Sequence, residues 1–148
     1  MKPVAKAMSD QRLAALVYHG WTLKSASLDL PTNSVSEYYL EWDLPEGVRR
    51  PSEEEAIRFS QLSVVDDVFA ITGRGIVIAP GFPREEEKKR VKVGDFVVLH
   101  DGRDRAFTAE VCGIEFFSPP NPKGWPLFLG GALTKDDVRI GMHVWIRE

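Results

Sequence analysis

The chain has 148 residues, a net charge of −3, 43% hydrophobic residues and 28% charged residues. That size and balance fit one globular domain with at most a short appendage, and exclude a wholly disordered chain and, at the level of bulk charge, a strongly basic nucleic-acid binder. The single cysteine, Cys112, excludes an intrachain disulfide framework and a cysteine-rich zinc site.

In chain order, Ser9 caps a helix that runs to about His19 and is closed by Gly20. Residues 21–30 read as an extended segment, Pro31 to Ser34 as a turn, and residues 36–42 as a strand. Ser52 and Glu55 have capping-box spacing, which predicts a helix from Glu53 to about Gln61. From residue 63 the pattern becomes β. Val64–Ile71, Ile76–Ala79, Asp95–His100, Phe107–Phe117, Pro126–Leu133 and Met142–Ile146 are six short runs rich in Val, Ile and Phe, punctuated by Gly and Pro. A helix-like turn at Thr134–Ile140 interrupts them. This spacing predicts a mainly β protein, a small antiparallel barrel or sandwich at residues 63–148. An α+β extension at residues 1–62 is expected to pack on it. Candidates for the interior are Val68, Ile71, Ile76, Ile78, Phe96, Val98, Phe107, Val111, Ile114, Val144 and Ile146.

Four landmarks then follow in order. They are Asp67-Val68-Phe69, Ile71, Gly73-Arg74-Gly75 and Val77; Lys92-Val93-Gly94-Asp95; Val111-Cys112-Gly113-Ile114-Glu115-Phe116-Phe117; and Lys135 to Met142 with its Arg139-Ile140-Gly141. Together they resemble the second domain of elongation factor Tu-like translational GTPases, across about 85 residues. The resemblance implies a closed antiparallel Greek-key β-barrel. No GTPase domain is expected in this chain. No Gly-x-x-x-x-Gly-Lys-(Ser/Thr) loop occurs, so no nucleoside triphosphate binding by this chain is expected.

In that family the barrel holds the 3′-terminal adenosine of charged transfer RNA in an apolar slot beside a glutamate. The resemblance places the slot on Ile71, Val77, Glu115 and Leu129. The family arginine that holds the aminoacyl ester stands here as Ser118, and its asparagine falls near Trp125. The ester clamp is therefore expected to be lost. Arg74, Phe117 and Trp125 are candidate interface residues, because rigid aromatics and arginine anchor interfaces.

No catalytic constellation emerges. His19, His100 and His143 have no partner at metal-ligand spacing, and Asp101-Gly102 after His100 reads as a turn. Cys112 reads as a small packed apolar group without a base to activate it. The expectation is a non-enzyme with no cofactor and no metal. Its partner is expected to be transfer RNA, ribosomal RNA or a translation-machinery protein. The alternative is an immunity-type or regulatory module that reuses the barrel to engage a toxin or a translation factor. No apolar run approaches the roughly 18 residues of a membrane span. No secretory signal is read at the N-terminus. A cytoplasmic protein of bacterial style is expected.

Overall fold

The computed structural model describes residues 2–44, 52–71, 74–83, 91–114, 124–130 and 133–148, with no side-chain description at 81–83. The chain opens with β1 (Val4–Ala7), α1 (Asp10–Tyr18), β2 (Thr22–Asp29) and β3 (Ser34–Glu41). The three strands form one antiparallel sheet in the order β1-β3-β2. Ser9 caps α1 as its sequence predicts. Its backbone is extended and its hydroxyl accepts from the Arg12 amide at 3.2 Å. At the other end, Gly20 donates to the Val17 carbonyl and Trp21 to the Leu16 carbonyl, the paired bonds of a Schellman stop. Gly20 has φ 108°, and a Cβ there would press into the Trp42 ring. Glycine therefore ends the helix for two reasons, backbone hand and ring packing.

The acidic turn at residue 53 is shorter than the capping box alone implies. The box itself forms, with Ser52 and Glu55 each accepting from the other's amide. Yet α2 spans only Glu53–Ala56, and Phe59 already begins β4 (Phe59–Val64). Phe59 is fully enclosed, and pairing along β10 (His143–Arg147) takes over from helical propagation. β4 thus crosses the expected division at residue 62.

The remaining strands are β5 (Asp67–Ile71), β6 (Gly75–Pro83), β7 (Phe96–His100), β8 (Ala106–Ile114) and β9 (Gly124–Leu129), followed by β10. With β4 and β10 they form one curled seven-stranded antiparallel sheet, in the order β4-β10-β7-β8-β9-β6-β5. Its two edge strands, β4 and β5, follow each other in sequence. Val65 and Asp66 join them, and these two residues bond across to Met142 and to Ala79 respectively. The concave side holds the first core, including Val68, Ile76, Ile78, Val97, Leu99, Val111, Leu127, Leu129, Val144 and Ile146.

The second core lies on the convex side of β4, β7 and β10. Leu13, Leu16 and Val17 of α1 meet Leu40, Phe59, Val98 and Trp145 there. The N-terminal layer thus packs on the sheet. β7 is enclosed on both sides, with Val97, Val98, Leu99 and His100 all buried. Here the expected interior needs correction. Val97 and Leu99 point into the curl, Val98 faces the α1 layer, and Phe96 on the same phase is half-exposed. A strand buried on both faces carries no alternation to fix its phase.

Candidate functional site on the convex face of the sheet

Backbone pairing places one residue from each of four strands in a row. Phe69 on β5 lies opposite Val77 on β6, Val77 opposite Phe128 on β9, and Phe128 opposite Gly113 on β8. Directly paired residues share a face. Ile76, Ile78, Leu127 and Leu129 occupy the concave core, so this row occupies the convex face. The N-terminal layer does not supply its core here, since Phe69, Val77 and Phe128 belong to neither buried cluster. Phe69 is 51% exposed, whereas Val77 between the two phenylalanines is only 5% exposed. A Cβ at Gly113 would sit 3.5 Å from the Phe128 Cβ.

Ile71 continues the same face along β5, opposite Gly75. Arg74 is exposed beside it, and its amide closes the turn onto the Ile71 carbonyl at 3.0 Å. Gly75 has φ 137°, and a Cβ there would collide with the Leu129 carbonyl. The glycine lets β6 approach β9 at the rim of the row.

The structure therefore brings together Ile71, Val77 and Arg74 of the sequence candidates. Leu129 is not with them. It is fully enclosed on the concave side, opposite Ile76 and Val111. The outward position on β9 belongs to Phe128, one residue earlier. The resemblance places the slot one residue further along β9, and a one-residue offset moves a side chain to the opposite face of a strand. Trp125 is half-buried against the concave core. Glu115 and Phe117, together with Gly73, Ser118 and the charged run 84–90, lie outside the described residues.

Cys112 differs from its expected packing. β8 shifts register between Val111 and Gly113, and Cys112 is the extra residue of that bulge. Its side chain is exposed, and its Sγ fills the space that a Cβ on Gly130 would need.

Sequence reasoning also missed a cluster of titratable groups where the N-terminal layer meets the sheet. The Tyr38 hydroxyl donates to Asp10 Oδ1 at 2.6 Å, and the Tyr38 ring packs edge-on to His100 with centroids 5.2 Å apart. Burial raises the Tyr38 pKa, and Asp10 raises it further. His100 is only 2% exposed, and burial holds its pKa below the usual histidine value. Opposing that burial are the Asp10 and Asp101 charges and the Arg103 carbonyl. Asp101 itself accepts from the amides of Arg103 and Arg105, and Gly102 has φ 82°, so the turn reading of Asp101-Gly102 holds. A cleft of about 320 Å³ opens beside this cluster, lined by Asp10, Ser34, Tyr38 and Asp101 among others. Tyr38 and His100 are eaten up by packing between layers, and their partners lie 28 and 62 residues away in sequence, so no local pattern announces them. Among the described residues, no group of three or more His, Cys, Asp or Glu side chains is arranged to hold a metal ion. No helix among them is long and apolar enough to cross a membrane.

No protein-family model matches the sequence, and no solved structure matches the chain.

Proposed function

We propose that this chain is a non-catalytic binding module, a translation-factor-like barrel. Its convex row takes the single-stranded 3′ end of an RNA of the translation machinery, in the cytoplasm. The observation that carries this reading is the half-exposed Phe69 ring beside Val77 and Ile71, with the exposed Arg74 in the turn that its amide closes onto Ile71. An aromatic platform next to a cation suits an unpaired base and its phosphate, and stacking of this kind contributes about 1–3 kcal/mol per base. The Greek-key closure of the barrel belongs to the same proposal. Its support is the end-to-end joining of the two edge strands through Val65 and Asp66. Four sequence landmarks in family order support the kinship.

Fluorescence anisotropy with a labelled single-stranded RNA ending in CCA tests the reading. Binding should be tight at low salt and should weaken as salt rises, because phosphate contacts release counterions. Phe69→Ala should weaken it by about 5- to 100-fold, the equivalent of one stacked base. No binding at low salt would remove the RNA reading.

A second reading is a protein-binding module that engages a toxin or a translation factor through the same face. The net charge of −3 favours it, because the chain lacks the basic excess of most RNA binders. Binding to a translation factor that persists at high salt and is lost in Phe69→Ala would favour this reading over RNA.

A further inference from the structure

The N-terminal layer is fastened to the seven-stranded sheet unequally along its length. At α1 the hold is firm. Leu13, Leu16 and Val17 enter the shared core, and Gln11 Nε2 donates to the Phe59 carbonyl at 3.2 Å. The β2–β3 hairpin is held less. Tyr38 is its last buried side chain towards the tip, because residues 27–34 are exposed and Ala26, Val35 and Glu37 are half-buried. Among the described residues, no hydrogen bond or ion pair joins residues 22–38 to the turn at residues 100–106. The Tyr38 hydroxyl bonds within its own layer, to Asp10. What crosses is a contact of rings, Tyr38 edge-on to His100 at 5.2 Å, with Ala26, Val35 and Ala106 at the margin of the core.

His100 ends β7 beneath that contact and is 2% exposed. Asp10 and Tyr38 face it from the N-terminal layer, Asp101 and Arg103 from the turn that follows it, and His143 from β10, where the two histidines are directly paired. None of these holds the ring closely. Its Nε2 lies 3.5 Å from the Arg103 carbonyl and 4.0 Å from Asp101 Oδ1. Both carboxylates are engaged elsewhere. Asp101 Oδ1 accepts from the amides of Arg103 and Arg105, and Asp10 Oδ1 accepts from Tyr38. An imidazolium at this position would therefore lack a close partner to replace water, and burying such a charge is costly. The cleft of about 320 Å³ runs beside the ring, with Asn33, Ser34 and Tyr38 on its hairpin wall and Asp101, Gly102 and Arg103 on its turn wall. Widening that cleft is the short route by which water reaches His100.

We infer that the outer half of the β2–β3 hairpin is a flap latched by the neutral His100 ring, and that protonation of His100 in mildly acidic solution releases the flap from the β7–β8 turn while α1 stays docked. The pull of Asp10 and Asp101 opposes release, and burial outweighs it, since the His100 pKa lies below the usual histidine value. The closed form thus binds the proton less readily than the open form, and release grows as pH falls below the open-state value of about 6.5. This device is independent of the convex row and of what the row binds.

A nitroxide spin label attached at Asp104→Cys, in a chain with Cys112→Ser, tests the inference. Asp104 is exposed on the turn wall side. At pH 7.5 the label should broaden the amide signals of Asn33, Ser34 and Val35, and at pH 5.0 that broadening should be lost. Signals of Leu13 to Val17 should keep the same intensity at both pH values. In His100→Gln the hairpin broadening should persist at pH 5.0. If that variant fails to fold, the midpoint of the loss must coincide with the ring C–H titration of His100 in the unsubstituted ring. Broadening unchanged between the two pH values overturns the inference. So does an equal loss in a folded His100→Gln chain, a loss that begins only in the carboxylate range at about pH 4, or a parallel change at Leu13 to Val17, which would mean that the whole layer leaves.

Discussion

The convex face of the seven-stranded sheet has two halves with different surroundings. Over β4, β7 and β10 it is covered by α1 and the small sheet, and Phe59, Val98 and Trp145 are buried there. Over β5, β6 and β9 it carries the Phe69–Val77–Phe128 row, and Phe69 stands half in solvent. One half of the face is used to hold the N-terminal layer. The other half keeps apolar side chains that belong to neither core, with Phe69 the exposed one among them. Apolar residues retained outside a core point to recognition more than to stability.

Mutations should separate the two halves, starting with the covered one. Leu16→Ala empties a fully enclosed position in α1 and should cost about 2–5 kcal/mol in urea denaturation. Gly75→Ala, at the rim of the open half, should cost about 3 kcal/mol, because its φ of 137° and the Leu129 carbonyl both oppose a Cβ. A mild effect there would mean that β6 and β9 are farther apart than described. Ser9→Ala removes one cap bond from α1 and should cost about 1 kcal/mol. Phe69→Ala should change stability by no more than about 0.5 kcal/mol, as expected for a half-exposed side chain outside the cores. A large loss there would erase the contrast between the halves.

The covered half also has a pH signature. His100 has a lowered pKa in the folded chain, so the unfolded chain takes up the proton first as pH falls. Stability from this group is therefore lost as pH drops below the unfolded value of about 6.5, and the loss levels off below the folded pKa. Urea midpoints measured from pH 7.5 to 5.5 should fall less steeply in His100→Gln than in the wild type. Equal slopes would place His100 in a more hydrated setting.

The same contrast explains what the sequence made legible. Ser9 and Gly20 bound α1 correctly because capping is local chemistry, decided within four residues. Val68 and Val111 were legible as interior candidates, since β5 and β8 carry exposed residues on their other face. Alternation failed at Phe96 and Val98, because β7 is buried on both sides by residues distant in sequence. Leu129 was named from the resemblance, and the three successive apolar residues of β9, Leu127, Phe128 and Leu129, carry no alternation that could have corrected it. The short α2 marks another boundary. A good N-terminal box starts a helix, but Phe59 is drawn into the sheet by pairing with Arg147, 88 residues later. His100 and Tyr38 were invisible as a pair for the same reason.

The most direct test of the open half is a chemical-shift map of the ¹⁵N-labelled chain titrated with a short single-stranded RNA ending in CCA. The account predicts that the amides of Phe69, Ile71, Arg74, Val77 and Phe128 shift together, and that those of Leu13 to Val17 in α1 stay still. Shifts centred on α1, or a spectrum unmoved at saturating RNA and low salt, would contradict it.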